Sequence, residues 1–324
     1  GGYASVPAVL AAVLLRKMGI LDCSIFIHEQ NYSPGRWNRL VARWVDRVWV
    51  SFEGSIRFFN GARAEYTGYP VREQISPREK KSARRELGIS DQARVLLVFG
   101  GSQGARTINR ALVEALPQIL SDRRVEVFHG YGVQKNSSYD AARDTRRSVE
   151  ALGLDNSFLE RYHSTDYFHD IQTYYAAADL VICRGGAGTL NEICRCGCPA
   201  LIVPKSNLSG EHQVVNSLAL ARTGAAEVIL ERPVLVNGVP EAFVSGREIA
   251  SAVRRLLDDD SALEKMSRAA LELNLRSNAS LFIRSVQDEL DGNHAPVPAV
   301  ISRPESAAPE GEDLTRLSLL SPSR

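Results

Sequence analysis

The sequence has no apolar run long enough to cross a membrane and no excess of charge of either sign. Its longest apolar stretch covers residues 6–15 and is closed by Arg16 and Lys17, whereas a membrane-spanning helix needs about 20 apolar residues. Lys and Arg number 39 against 38 Asp and Glu, which gives a formal net charge of +1. Because a general nucleic-acid binder usually carries a basic excess, we expect no nucleic-acid partner.

Cysteine is scarce, and its spacing suits neither a disulfide framework nor a zinc site. The five cysteines are Cys23, Cys183, Cys194, Cys196 and Cys198. Their number is odd, three of them stand at alternate positions, and the sequence contains no paired C-x-x-C motifs. We therefore expect reduced structural thiols, as is typical of a cytosolic protein, and no bound metal.

The most informative motif is VLLVFGGSQGAR at residues 95–106. Residues 95–99 have the β-branched and aromatic content of a strand buried on both faces, and the pattern predicts a helix over residues 107–120. Between them, Gly100, Gly101 and Gly104 let the backbone approach a ligand closely. Since the helix adds unpaired amides and a positive dipole end, the turn favours an anion, most often a phosphate. Glycines after a strand can also serve only to turn the chain.

A second segment repeats this architecture. Residues 178–184, ADLVICR, predict a buried strand, and GGAGT at residues 185–189 leads into a predicted helix over residues 190–196 that carries Glu192. One nucleotide-sugar site explains both loops, since a diphosphate binds helix-terminal amides and a sugar diol binds a carboxylate. Glu192 can equally complement the helix dipole without touching a ligand.

Polar residues also follow other predicted elements. Residues 23–27 predict a strand that delivers residues 28–31, HEQN, to the edge where open α/β sheets bind ligands. Arg72 follows the segment GYPV and can either cross a cleft to a phosphate or lie solvated in a linker. His212 and Gln213 begin a later helix, where they can meet sugar hydroxyl groups or cap the helix.

The alternation of strands and helices predicts an α/β protein with two cores. It includes a predicted helix over residues 36–44, a short strand over 157–162 and a helix over 169–177. The apolar start of the chain, with Arg16 and Lys17 behind it, predicts a helix that packs on its own sheet or offers a patch to a membrane surface. The sequence begins with Gly1 rather than methionine, so we expect further sequence upstream. We expect the following organisation: the remnant of an incomplete N-terminal domain over residues 1–68, an interdomain connection over 69–92, a C-terminal domain over 93–275, a C-terminal helix over 276–292 and a disordered tail over 293–324.

Seven segments, taken in order, resemble the MurG family, the N-acetylglucosaminyltransferases of peptidoglycan precursor synthesis. They are GGYASVP, HEQNYSPGRWNRLVARWVDRV, GYPVR, VFGGSQGARTIN, YAAADLVICRGGAGTLNEI, GCPALIVP and EHQVVNSLAL, and they span about residues 1–290. The resemblance implies a GT-B fold, in which two Rossmann-like domains face each other across a cleft and the C-terminal one binds the donor.

The resemblance also implies an inverting transfer, without a cofactor, of N-acetylglucosamine from UDP-N-acetylglucosamine to the muramoyl sugar of lipid I, which forms lipid II. It implies a peripheral enzyme at the cytoplasmic face of the bacterial plasma membrane. Carried over to this sequence, it assigns to the donor Asn31, Arg72, Ser102, Gln103, Ala187, Gly188, Thr189, Glu192, His212 and Gln213, and to the acceptor Gly1, Gly2 and Tyr3. In this assignment Glu192 holds the ribose diol and Ser102 and Gln103 lie against the diphosphate.

The resemblance leaves the general base unassigned. In the family the favoured base is a histidine of a glycine-rich loop that precedes the segment corresponding to GGYASVP, and this sequence begins after that loop. Two alternative functions therefore stay open. The chain binds UDP-N-acetylglucosamine without transferring it on its own, or it is another GT-B enzyme acting on a UDP-sugar, such as an epimerase. The resemblance also puts Phe168 beside the uracil, where we expect mainly backbone contacts.

Overall fold

A computed structural model of the chain describes residues 5–136, 139–206, 212–276 and 279–292. The predicted tail over 293–324 and the predicted acceptor residues Gly1, Gly2 and Tyr3 lie outside the described residues. The described part contains two parallel sheets that follow one another along the chain.

The first sheet has three strands in the order β1-β2-β3. They are β1 (Phe26–Glu29), β2 (Arg47–Val50) and β3 (Ala64–Tyr66), and both pairings are parallel. Helix α1 (Val6–Lys17) precedes the sheet, and α2 (Arg36–Val41) with a 3₁₀ turn (Ala42–Trp44) joins β1 to β2, while a second 3₁₀ segment (Glu53–Phe58) joins β2 to β3. Among the described residues, no helix combines the length and apolar character that a membrane span needs.

The second sheet has six parallel strands in the order β6-β5-β4-β7-β8-β9. Its strands are β4 (Arg94–Phe99), β5 (Val125–Gly130), β6 (Tyr162–Thr165), β7 (Leu180–Cys183), β8 (Ala200–Ile202) and β9 (Ala226–Val228). The helices around it are α3 (Lys80–Glu86), α4 (Arg106–Ile119), α5 (Ala141–Ala151), α6 (Asn156–Leu159), α7 (Ile171–Ala177), α8 (Ala187–Cys196), α9 (His212–Arg222), α10 (Gly246–Leu257) and α11 (Asp260–Arg276). An antiparallel hairpin of β10 (Arg232–Val236) and β11 (Val239–Phe243) leaves the sheet after β9.

Strand β4 explains why this sheet has two cores. Leu96 and Val98 point to one face, where they pack with side chains of α4 and α10, whereas Val95 and Leu97 point to the other, where α7 and α8 cover them. All four are at most 1% exposed. A strand covered on both faces reads as the continuous apolar run that the sequence shows, and the predicted α/β class is confirmed.

The last described helix, α12 (Ala279–Leu290), packs against the first sheet rather than the second. The indole Nε1 of Trp49 on β2 donates to Ser285 Oγ at 2.8 Å, and the Phe282 ring meets the Trp49 ring edge-on at 5.1 Å. Arg47 forms an ion pair with Glu289, in which both side chains are buried. The last described helix, α12, therefore covers the sheet that is formed by the first three strands of the chain.

Three expectations about the bounds of local elements are wrong. Residues 157–162 do not form a strand, because Asp155 caps helix α6 by accepting from the amides of Ser157 and Phe158, and β6 begins only at Tyr162. The predicted strand over 23–27 lies later, over Phe26–Glu29, so the first two residues of HEQN belong to the strand itself. The helix expected over 190–196 begins earlier, at Ala187.

Candidate functional site

The candidate site lies at the carboxyl ends of β4, β5, β6 and β7, where a cavity of about 150 Å³ opens. Four of the residues predicted to bind the donor line it, namely Arg72, Ser102, Thr189 and Glu192. The others that line it are Phe99, Gly101, Gly130, Asp166, Tyr167, Phe168, Ile171 and Tyr175. The structure thus brings together the two glycine-rich segments that the sequence suggested to share one ligand.

One wall of the site consists of two loops in direct backbone contact. Gly104, in the loop after β4, has φ +79°, and a Cβ there would lie 2.0 Å from the carbonyl oxygen of Tyr131. Gly132, in the loop after β5, has φ +90°, and its Cβ would lie 2.2 Å from the Gly104 nitrogen. The Val133 amide donates to Ser102 O at 3.0 Å. Gly104 is therefore required for contact with the neighbouring loop, which holds Ser102 beside the start of α4.

The opposite wall is the first turn of α8. The helix begins at Ala187 after Gly186, and no side chain caps it. The first amides of a helix have no partner within the helix, so those of Ala187, Gly188 and Thr189 are suited to an anionic ligand. A Cβ on Gly188 would find the Tyr69 hydroxyl 3.7 Å away as its nearest neighbour.

Glu192 supplies the only carboxylate of α8's first two turns and is held from two sides. The Tyr175 hydroxyl donates to Glu192 Oε2 at 3.0 Å, and Arg72 Nη2 lies 3.8 Å from Oε1. Burial raises the pKa of Glu192, while the Tyr175 hydrogen bond and the Arg72 charge oppose that rise. Burial also raises the pKa of Tyr175 well above its ordinary value, so its hydroxyl stays a proton donor.

A buried ionic cluster holds the N-terminal end of α4 against the carboxyl end of β7. Arg184 Nη1 lies 2.7 Å from Glu231 Oε1, and Arg184 Nη2 donates to Thr107 Oγ1 at 2.6 Å. The Ser206 amide donates to Glu231 Oε2 at 3.0 Å. Burial would raise the pKa of Glu231, but the Arg184 charge and the hydrogen bonds that Glu231 accepts from Thr107, Arg184 and Ser206 bring it below its ordinary value. The cluster ties the N-terminal end of α4 to the end of β7, from which the chain leads into α8, and sequence reasoning did not identify it.

The HEQN segment organises a loop that touches α9. Glu29 is 3% exposed, and its carboxylate accepts from the Asn31 amide at 2.9 Å and from Asn38 Nδ2 at 2.7 Å. Asn31 Oδ1 accepts from Asn216 Nδ2 at 3.1 Å, and Asn216 Oδ1 accepts from the Tyr32 amide at 2.8 Å. Asn31 therefore joins the first sheet to the second through Asn216, a fully buried residue that the sequence analysis did not single out.

His28, on β1, contacts residues that lie outside the first sheet. Its Nε2 lies 3.0 Å from Gly68 O, and its ring contacts the rings of Tyr69 and Phe282 edge-on. Burial lowers the pKa of His28, with the Gly68 carbonyl and Glu29 opposing the change.

The remaining predicted residues lie outside the cavity lining. Gln103 is exposed in the loop after β4. His212 and Gln213 start α9, and Gln213 Oε1 accepts from the Lys205 amide at 3.0 Å. Residues 207–211, which join β8 to α9, lie outside the described residues.

The cavity residues that sequence reasoning missed share one position in the fold. Asp166 and Tyr167 directly follow β6, and Gly130 ends β5. The rule that ligands meet the carboxyl ends of parallel strands would have found them, had the strand over 157–162 been placed correctly. Phe168, which the family resemblance puts beside the uracil, is buried among these cavity residues. A Cβ on Gly130 would lie 2.8 Å from its ring.

Within the described residues, neither the cysteines nor the side chains that commonly bind metals form a second reactive site. No group of three or more His, Cys, Asp or Glu side chains within the described residues is arranged to hold a metal. Burial raises the pKa of Cys183 and of Cys194 to about 12, so both are protonated thiols at neutral pH.

Comparison with known proteins gives consistent matches. The family described as "Glycosyltransferase family 28 C-terminal domain" matches residues 95–282. A curated relative from Desulforudis audaxviator is 37% identical over 84% of this chain and 68% of its own length. Another from Caldanaerobacter subterraneus is 35% identical over 87% of this chain and 71% of its own length. Both are named UDP-N-acetylglucosamine–N-acetylmuramyl-(pentapeptide) pyrophosphoryl-undecaprenol N-acetylglucosamine transferase.

Solved structures show the same fold. The crystal structure of MurG from Acinetobacter baumannii superimposes with a TM-score of 0.63 at 24% identity, covering 90% of this chain and 72% of that one. HepE from Anabaena, solved in complex with UDP and glucose, gives a TM-score of 0.57 at 15% identity, covering 88% and 75%. These matches support the two-sheet architecture described above.

Proposed function

We propose a function from the premise that this chain belongs to the MurG family of N-acetylglucosaminyltransferases, within the GT-B glycosyltransferases. The chain transfers N-acetylglucosamine from UDP-N-acetylglucosamine to the N-acetylmuramyl sugar of the undecaprenyl pyrophosphoryl acceptor, lipid I, and so forms lipid II for peptidoglycan. The observation that carries this function to particular residues is Glu192, held in a cavity between two uncapped helix starts.

We assign the donor to this cavity in a single orientation. The diphosphate lies between the loop that carries Ser102 and Gln103 and the first turn of α8, because both present backbone amides. Glu192 accepts hydrogen bonds from both hydroxyl groups of the ribose, since an ionised carboxylate acts only as an acceptor. Arg72, which is 65% exposed in its side chain, approaches the same carboxylate and is free to turn toward a phosphate.

We assign the sugar end of the donor to the junction of the two sheets. Asn31 meets Asn216 there, next to the start of α9 that carries His212 and Gln213. Amide and imidazole groups both donate and accept, which matches a sugar that carries hydroxyl groups and an acetamido group. On this assignment the donor-binding domain corresponds to residues 93–275, and residues 1–68 face it from the acceptor side.

The chemistry that these groups support is displacement at the anomeric carbon. An acceptor hydroxyl oxygen forms the new bond to that carbon, the bond to the β-phosphate oxygen breaks, and UDP departs with the electron pair. Ser102 and the amides of α8 stabilise the negative charge that develops on the diphosphate, as preorganised donors do in other transferases. The hydroxyl proton goes to a base that we do not assign to any described residue.

We also propose that the region around α1 and α2 touches the cytoplasmic face of the plasma membrane. Leu14, Met18 and Ile20 are 59%, 68% and 65% exposed, and Trp37 on α2 is 38% exposed. Val9, Leu10 and Val13 instead pack toward the first sheet, which is the other alternative that the sequence left open for this helix, so the proposed membrane contact concerns its opposite side. The exposed basic residues near this apolar surface are Lys17, Arg36, Arg39, Arg43 and Arg57. Such a surface suits an anionic bilayer that holds a lipid-linked acceptor.

The experiment that tests the donor site is calorimetric titration of the purified chain with UDP-N-acetylglucosamine. We expect binding that Glu192→Ala weakens by at least about tenfold, since a charged hydrogen bond is worth about 1.5–3 kcal/mol. Glu150→Ala, on the exposed side of α5, is the matched control and should bind like the parent chain. Equal affinities of the Glu192→Ala variant and the parent chain would contradict the assignment. Consumption of the donor without acceptor would instead indicate an epimerase-type reaction.

A further inference from the structure

Of the two side chains that the described residues bring to the Glu192 carboxylate, Tyr175 is the one that cannot rearrange freely. Tyr175 lies on α7 and is 1% exposed, and its ring meets the Phe99 ring edge-on at 6.0 Å. Its main-chain oxygen accepts from Cys198 Sγ at 3.4 Å. Arg72, by contrast, lies 3.8 Å from the carboxylate on an exposed side chain that solvent screens. The phenol is therefore a fixed donor and the guanidinium a movable one.

A carboxylate binds a vicinal diol well only if its plane is held in one orientation. The last torsion of a glutamate side chain is broad and about two-fold, so the orientation is not set by the side chain itself. The Tyr175 hydroxyl holds Oε2 at 3.0 Å and so restricts the rotation of the group, while Oε1 lies 3.8 Å from the movable Arg72 guanidinium. Burial keeps the phenol protonated, so the hydrogen bond persists across the working pH range.

We propose that Tyr175 is a positioning residue, which orients the Glu192 carboxylate for the ribose diol and thereby sets the preference of the site for a ribonucleotide over a 2′-deoxyribonucleotide donor. This inference rests on the proposed function, because it takes Glu192 to be the ribose ligand. Tyr175 itself touches no substrate atom in this scheme. Its effect passes through the carboxylate, as is general for residues that support a binding group from behind.

The test is Tyr175→Phe, which keeps the ring and removes only the hydroxyl. The steady-state KM is measured with UDP-N-acetylglucosamine and with its 2′-deoxyuridine analogue. We expect the KM for the natural donor to rise about tenfold with kcat nearly unchanged, because a misoriented Glu192 carboxylate loses a hydrogen bond from one of the two ribose hydroxyl groups. The KM for the deoxy analogue should change little, because this analogue lacks one of those hydroxyl groups from the start. Tyr162→Phe, which removes a buried hydroxyl that contacts His129 outside the site, should leave both values unchanged.

A second measurement separates positioning from a general loss of structure. The Tyr175 hydrogen bond lowers the pKa of Glu192, so its removal raises that pKa. Donor binding requires the ionised carboxylate, and the acidic limb of the KM profile should therefore move to higher pH in Tyr175→Phe. A merely structural role would raise the KM for both donors alike and leave the limb in place, and that result would overturn the inference.

The Glu192→Ala variant distinguishes failure of this inference from failure of the proposed function. If Glu192→Ala keeps full affinity and full discrimination against the deoxy donor, the ribose assignment is wrong and the role of Tyr175 falls with it. If Glu192→Ala loses both while Tyr175→Phe keeps both, the ribose assignment stands and only the positioning role is wrong. In the Glu192→Ala background, Tyr175→Phe should have no further effect on donor affinity.

Discussion

Replacement of Gly104 by alanine tests whether the backbone contact between the two site loops is essential. At φ +79°, an alanine would adopt the left-handed region at a cost of about 1–2 kcal/mol. Its Cβ would also lie 2.0 Å from Tyr131 O. Backbone atoms must move to relieve that contact, and forced overpacking of this kind costs about 1–3 kcal/mol. We therefore expect a loss of about 2–5 kcal/mol in the free energy of unfolding, as the sum of these two costs.

Gly153→Ala is the matched control, because it shares the backbone conformation and lacks the contact. Gly153 has φ +59° and no atom within 4 Å of its Cβ position. Both variants reduce the conformational freedom of the unfolded chain by the same amount, so that contribution cancels in the comparison. The difference between them isolates the contact with Tyr131, and we expect about 1–3 kcal/mol.

The assay is urea unfolding followed by circular dichroism, together with UDP-N-acetylglucosamine titration of the folded variants. Gly104→Ala should also bind the donor more weakly, because the shifted loop carries Ser102, which lines the cavity. Gly153→Ala should bind normally, since Gly153 lies in an exposed turn after α5. Equal destabilisation by the two substitutions would refute the reasoning, because it would show that the loops separate at no cost.

Three further predictions concern other parts of the molecule. Arg47→Met should destabilise the protein by about 3 kcal/mol in urea unfolding, the lower end of the range for a broken buried ion pair. In this variant Glu289 loses its buried cation and keeps the pairing with Arg63, whose side chain is 41% exposed. Burial lowers the pKa of His129 to about 3, so this residue is neutral in the folded state and protonates first in the unfolded chain, and stability should fall as pH drops below about 6.5. The loss should reach about 3 kcal/mol at pH 4.5 in the parent chain and be absent from His129→Gln, and urea unfolding of both proteins across this pH range measures it. Leu14→Ser combined with Met18→Ser should reduce sedimentation with anionic vesicles, whereas Leu235→Ser, at the equally exposed hairpin, should not.

The sequence predicted the parts of the fold in which local pattern and tertiary environment agree. Residues 95–99 are apolar at every position, and the structure buries that strand between two helical layers. Glu192 lines the cavity because it stands in the second turn of a helix that begins after a glycine-rich turn, and its role toward a ligand stays a prediction. The helix over residues 36–44 also appeared as expected, continued by a 3₁₀ turn.

The parts that the sequence did not predict depend on contacts between distant residues. The predicted strand over 157–162 is replaced by helix α6, which Asp155 caps, so β6 begins later than expected. For this reason the sequence did not identify Asp166 and Tyr167, which follow β6, as cavity residues. Tyr175 looked like one more residue of an apolar helix, since only the fold brings its hydroxyl to Glu192. Asn216 likewise became recognisable only when the structure placed it against Asn31, which is 185 positions away.

The three tryptophans of the sequence, Trp37, Trp44 and Trp49, all belong to the first sheet and its helices. Tryptophan emission, excited where tyrosine does not absorb, therefore reports on that part of the molecule alone, whereas circular dichroism records the helices of both parts. Trp49 is 3% exposed and is covered by α12, so detachment of this helix would shift its emission to the red while the second sheet stays folded. A comparison of the two signals during unfolding would reveal whether the two halves of this enzyme melt together or one after the other.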